Sequence, residues 1–202
     1  MKITILVEGR TERVFRPVLR EFLEPRLKNR MPQLDMFCCN GRVPKQEDLK
    51  RKVESLLKKG PKPSDAVIAL TDIYTGTNDF LDANDAKQKM RQWVGAEDRF
   101  YPHAAQYDFE AWLLPYWHVI QKLAGHNRNA PAGEPETINH NNPPSRHIQK
   151  IFADGKCRRH YSKTRDAVSI LKGQDLAISA GKCPELRAFH NTILKLCSGT
   201  EI

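Results

Sequence analysis

Five acidic side chains stand where a chain could use them for chemistry. Glu8 follows the apolar run ITILV at 3–7, with Glu12 about one helical turn on; Asp72 follows AVIALT at 66–71; Asp108 and Glu110 follow FYPHAAQ at 100–106. Short apolar runs bounded by turn formers read as strands covered on both faces. In open α/β sheets the working site lies beyond the carboxyl ends of the strands, so acids placed there converge on one point. A few such carboxylates suit a hard divalent ion, Mg²⁺ or Mn²⁺, which prefers oxygen ligands and keeps several waters. Such an ion neutralises charge on a phosphoryl group and activates water. Each acid taken singly would also suit the first turn of a helix, where the dipole favours negative charge. That plainer reading is the stronger one for Glu12 and Asp108, and the weaker one for Glu8 and Asp72.

Phosphodiester chemistry also needs positive charge against the transition state. Lys163 in YSK, Arg146 in PPSR and Arg10 in VEGRTE are the cations placed to meet phosphate; the alternative for each is a solvated or ion-paired surface cation. Lys50, Arg51, Lys52, Lys58 and Lys59 form a basic helix face that either tracks a nucleic-acid backbone or keeps the helix soluble. His103, His147 and Tyr161 read first as packing residues, and Trp112 and Trp117 as core. There is no glycine-rich phosphate loop with its lysine and no Gly-x-Ser-x-Gly elbow, so neither a P-loop ATPase nor a serine hydrolase of that kind is indicated.

The charge distribution fits either a polyanionic partner or an ordinary solvated surface. The 202 residues carry a formal charge of +9, with a balance of +7 over residues 1–60, −4 over 61–120 and +6 over 121–202. A basic chain with an acidic middle fits an enzyme whose carboxylates collect metal while Lys and Arg meet phosphate. With 40% hydrophobic and 28% charged residues, the composition is globular and excludes a disordered tail or a coiled coil. No apolar run reaches the roughly 18 residues that span a bilayer, and MKITILVEGR is too soon charged for a secretory leader. A cytoplasmic protein is expected. The five cysteines form no repeated close pair, which suits reduced thiols, and Cys157 with His160 is too isolated for structural zinc.

Positioning these residues requires a frame of alternating elements. Strands are predicted at 3–7, 34–38, 66–71 and 100–106, with helices from Thr11 to the region of Pro25, across 49–57 up to Gly60, and at 82–94. A further helix over 108–123 is expected to be interrupted or kinked at Pro115. This alternation predicts an α/β domain over 1–125, a mainly parallel sheet flanked by helices. Residues 126–144, rich in proline and asparagine, read as a loop. Helices at 145–152, 163–172 and 183–197 then form a helical lobe, 145–202, packed on the same domain.

The opening strand with VEGRTE, followed after a helical crossover by AVIALTDIY, resembles the TOPRIM domain of topoisomerases, primases and the overcoming-lysogenization-defect (OLD) family nucleases. A closer likeness is to a small stand-alone bacterial TOPRIM-like family, and it continues through HAAQYDFEAWL, PPSRHIQKIF, YSKTRDAVSIL and CPELRAFHNTIL. The resemblance implies a TOPRIM-like, Rossmann-like fold and a nuclease activity with Mg²⁺ or Mn²⁺. It implies Glu8 as the glutamate that ligates metal or carries a proton, Gly9 beside it, Glu12 as the second acid of OLD-like members, and Asp72 as the first acid of the Asp-x-Asp pair. Position 74 departs from that pair, because it is Tyr74, and a tyrosine does not ordinarily replace a carboxylate at neutral pH. Asp108 or, better matched in FEAW, Glu110 would supply the missing charge, or the site takes a single ion. The resemblance further implies a separate ATPase of the ABC or SMC-like kind in a phage-defence system. The rival expectation is a non-catalytic subunit that binds nucleic acid or the ATPase; a phosphatase acting on small molecules is a third.

Overall fold

The structure, a computed structural model, describes residues 1–74, 78–138, 142–157 and 159–202, and for residues 10–14 the backbone alone. Four strands form one sheet: β1 (Lys2–Val7), β2 (Gln33–Cys38), β3 (Ala66–Asp72) and β4 (Phe100–Ala105), in the order β2-β1-β3-β4. All three pairings are parallel, with Ile3 beside Ala66, Val7 beside Leu70, and Asp72 beside Ala105. β1 and β3 are the central strands, and apart from Lys2 at one end and Asp72 at the other every residue in them is buried. That is why their sequences are continuous apolar runs instead of alternating ones. The C-terminal ends of β1 and β3 face the same way, and the connections leave them toward opposite edges of the sheet, opening a crevice between them.

Helices cover both faces. α1 (Arg10–Leu27) lies over Ile3, Ile5, Val7, Leu34, Ile68 and Leu70, whereas α2 (Gln46–Lys58) and α3 (Ala83–Val94) cover Leu6, Val67, Ala69 and Phe100 on the other face. α3 starts at Asp82, whose carboxylate accepts the Asp85 N–H at 2.8 Å, as a capping residue should. α1 does not end at Pro25 but continues to Leu27. Leu23 and Leu27 are fully buried there, and burying two leucines, roughly 1.5–3 kcal/mol each, offsets the roughly 3 kcal/mol that an interior proline costs.

Beyond β4 the chain differs in detail from its sequence pattern. Phe109–Tyr116 is a 3₁₀ stretch and α4 (Trp117–Ala124) is the α-helix. Phe109, Glu110, Ala111, Trp112, Leu113 and Leu114 are all buried, so this segment has no polar face and reads poorly as an amphipathic helix. α5 (Pro144–Asp154), α6 (Lys163–Leu171), α7 (Leu176–Lys182) and α8 (Pro184–Leu196) follow. α7 was not expected; its signal is Asp175, which caps it by accepting the Ala177 N–H at 2.9 Å. α6, α7 and α8 pack against α1, and α8 also lies along β4. Ile148, Ile151, Phe152, Ile170, Phe189 and Ile193 thus share one apolar cluster with β1 and α1. Among the described residues no helix is long and apolar enough to cross a membrane.

Candidate functional site

Glu8 is the first residue past β1, and its position is fixed by backbone and side chain together. Its carbonyl accepts the Gly41 N–H at 2.9 Å. Its Oε1 accepts the Asp72 N–H at 3.2 Å and the hydroxyl of Thr71. Thr71 is itself buried on β3. The two central strand ends are therefore tied to each other through the carboxylate of Glu8, which brings Glu8 and Asp72 together at the crevice.

Asp108 and Glu110 reach the same end of the sheet because the chain beyond β3 stays paired with the chain beyond β4. The Ile73 N–H donates to the Ala105 carbonyl at 3.2 Å and the Tyr74 N–H to the Tyr107 carbonyl at 2.5 Å. Tyr107 adopts φ 71° at this turn, a left-handed conformation uncommon for a large side chain. Asp108 is 2% exposed. Its Oδ2 accepts the Ser145 N–H at the start of α5 at 3.2 Å, while its Oδ1 has no hydrogen-bond partner among the described residues. Burial pushes the Asp108 carboxyl above its usual range, against the Ser145 hydrogen bond and the charge of Lys163.

Glu110 is fully buried and has both oxygens engaged. Oε2 accepts from the Lys163 ammonium at 3.0 Å and Oε1 from the Tyr161 hydroxyl at 3.3 Å. Burial, with the neighbouring Asp108 charge adding to it, pushes Glu110 up to about 7 in spite of Lys163. Lys163 is 47% exposed along its side chain. What burial it has favours proton loss, but the charges of Glu110, Asp72 and Asp108 outweigh this and hold its proton more firmly than usual. Both members of the ion pair thus move upward: at Glu110 burial and the Asp108 charge outweigh the attraction of Lys163, and at Lys163 the attraction of three carboxylates outweighs burial. Burial together with Glu110 also raises the Tyr161 phenol, which stays a donor.

Lys163 opens α6, and a second buried acid sets that opening. Asp166 accepts the Ser162 N–H at 2.7 Å and two bonds from Arg159 at 2.9 and 2.8 Å. Burial works against its charge, yet Arg159, Arg165 and the Ser162 N–H hold it below the usual carboxylate range. Thr71, Ser145 and Asp166 are the positioning residues that sequence reasoning missed. Asp166 had a signal, an acid in the first turn of a predicted helix; the other two contact acids 63 and 37 positions away, which no local pattern reports.

Glu8, Asp72, Glu110 and Lys163 are thereby gathered at one end of the sheet. Arg146 is not at this centre; it is exposed on α5 and donates to Gln149 Oε1 at 3.5 Å. The side chains of Arg10 and Glu12 lie outside the described residues, although both positions fall in the first turn of α1. Among the described residues no three His, Cys, Asp or Glu side chains form a ready metal cage. The donor chemistry nevertheless fits a hard ion, because Glu8 and Asp72 offer carboxylate oxygens and a Mg²⁺ site needs only one or two of these beside water and substrate.

Residues 7–194 match the family model described as Domain of unknown function (DUF4276). No curated protein matches the sequence. Among solved structures, the C-terminal region of the Burkholderia pseudomallei OLD protein is similar at 13% identity, covering 97% of this chain and 98% of that one, with a TM-score of 0.56. The C-terminal region of the Xanthomonas campestris pv. campestris OLD protein aligns at 14% identity over 97% and 96%, with a TM-score of 0.49. The Burkholderia likeness is one of fold, a mainly parallel sheet flanked by helices as the TOPRIM resemblance implied.

Proposed function

The chain belongs to the DUF4276 family, and we propose that it is a divalent-metal-dependent nuclease of the TOPRIM type, hydrolysing DNA or RNA phosphodiester bonds. The observation that carries this reading is the meeting of Glu8 and Asp72 at the crevice between β1 and β3 with the Lys163 ammonium held beside them. Glu8 and Asp72 would hold Mg²⁺ or Mn²⁺, with Glu12 as a further ligand. When bound, the ion supplies positive charge to a phosphoryl oxygen and lowers the pKa of water.

The remaining steps belong to the chain's own residues. Lys163 offsets the charge that builds on the phosphoryl oxygens, a role that needs a firmly protonated and partly exposed ammonium. Glu110, itself held by the Tyr161 hydroxyl, orients that ammonium. With both its oxygens engaged, Glu110 serves Lys163 first and the metal second. Thr71 and the Asp72 N–H hold the Glu8 carboxylate toward the crevice.

The test is cleavage of plasmid DNA, single-stranded DNA and a tRNA mixture with Mg²⁺ or Mn²⁺. Glu8→Gln and Asp72→Asn should each abolish cutting while the thermal midpoint without metal stays close to that of the wild type. Cutting undiminished in both variants would sink the assignment. Tyr74 in place of the second acid favours a second reading, a non-catalytic subunit that binds nucleic acid or an ABC or SMC-like ATPase. Under that reading no cutting appears even with the ATPase present, and Mg²⁺ does not raise the thermal midpoint.

A further inference from the structure

Beside the acidic centre lies a groove of opposite character. α5 buries Pro144, Ser145, Ile148, Ile151 and Phe152 and turns Arg146, Gln149, Lys150 and Ala153, spaced at i, i+3, i+4 and i+7, to the outside. These four residues, with Asn142, His160 and Tyr161, line a cavity of about 440 Å³. The described lining holds two cations and neutral hydrogen-bonding groups, with no carboxylate. Ala153 leaves the floor low. Tyr161 belongs to groove and centre at once: it lines the cavity, and its hydroxyl donates to Glu110, the carboxylate that holds Lys163.

We propose that this groove holds one nucleotide of a single-stranded nucleic acid next to the phosphate being cut. Arg146 and Lys150 would neutralise backbone phosphates, and exposed His160, with the part-exposed Tyr161 braced behind it on Phe152, would meet an unstacked base. Two features favour a single strand over a duplex. The space is a concavity of the size that takes one small-molecule-sized group, and its aromatic side chains are useful only to a base that has left its stack. The inference deepens the nuclease reading and rests on it for the word substrate, but its test does not depend on cutting.

The test measures binding by fluorescence anisotropy in EDTA, with labelled DNA and RNA single strands of about twelve nucleotides and the matching duplex. The wild type should bind either single strand more tightly than the duplex. Arg146→Ala with Lys150→Ala should weaken single-strand binding roughly tenfold at low salt and make the slope of log K against log salt shallower by about 1.4, two contacts at about 0.7 each. Lys150→Gln alone should give half that change of slope, and both variants, altered only at exposed positions, should melt like the wild type. Unchanged affinity in the double variant, a wild type that prefers duplex, or a wild type that binds neither would overturn the groove. If binding follows the expected pattern but no cutting is seen with metal, the groove stands and the nuclease reading fails. If Asp72-dependent cutting is seen but the double variant binds normally, the reverse holds.

Discussion

Glu110→Gln is the substitution whose effect can be worked most fully from the structure. Glu110 is buried completely, and its carboxyl is raised from 4.5 to about 7 by that burial and by Asp108. In the pH interval from 4.5 to about 7 the folded chain holds a proton there that the unfolded chain releases. Stability from this group is therefore complete below 4.5 and is lost as pH rises through 7. At about 1.4 kcal/mol per pH unit, the interval amounts to about 3 kcal/mol. Glutamine removes the titration while its carbonyl can still accept from Lys163 and its amide can donate to the Tyr161 oxygen. Losing the charged hydrogen bond costs less here than in a closed core, since Lys163 is half-exposed and screened. The variant should thus gain on the wild type by about 3 kcal/mol between pH 4.5 and 7.5, whatever the offset at the acid end. Urea unfolding in EDTA at several pH values reads this directly; titrating groups away from the cluster cancel in the difference, and Asp108, whose charge acts on Glu110, shifts together with it. Stability curves that stay parallel across the interval would refute the account of Glu110 as a buried, reluctantly charged anchor.

Two other substitutions separate positioning from packing. Thr71→Val keeps the shape of a buried strand residue but removes the hydroxyl that Glu8 accepts; stability should fall by about 1–2 kcal/mol, and metal-dependent cleavage roughly tenfold, measured by urea unfolding and by initial rates. An unchanged rate would show that Glu8 needs no such support. His190 is fully buried against Phe22 at 4.4 Å, neither ring nitrogen has a hydrogen-bond partner among the described residues, and burial, with the Arg26 and His103 charges adding, lowers it to about 3. Its folded pKa is depressed, so stability is lost as pH falls from 6.5 toward 3. His190→Phe should gain about 3 kcal/mol on the wild type between pH 7.5 and 4.5; equal urea midpoint differences at the two pH values would contradict this.

The parts of the fold that are legible in the sequence are those whose residues are dictated locally. β1 and β3 announce themselves because a strand buried on both faces is apolar at nearly every position, and α2 and α3 because one apolar stripe faces the sheet. Glu8 and Asp72 could be placed together from the sequence, since parallel central strands end on the same side. Lys163 could be marked as a cation but not paired with Glu110, 53 positions earlier, because that meeting depends on how α6 docks on the 3₁₀ stretch. The 3₁₀ stretch itself hid behind its burial, and α7 behind its shortness.

The chain's departure at position 74 alters the electrostatics of the site and does not merely subtract a ligand. Tyr74 is 44% exposed and stands where the resemblance places a second acid. The two acids nearest to replacing it are buried: Glu110 is committed to Lys163 and Tyr161, and Asp108 to Ser145. A buried carboxylate is costly to charge without a cation, and Lys163 is the cation that meets Glu110 and lowers the cost at Asp108. Among the described residues the crevice therefore presents the half-exposed Lys163 ammonium opposite a small set of carboxylates, where an Asp-x-Asp arrangement would present more negative charge. A second divalent ion would have to compete with that ammonium for the same oxygens. Under the proposed nuclease reading, a single bound ion would suffice, with Lys163 supplying the positive charge that a second ion would otherwise bring to the phosphate.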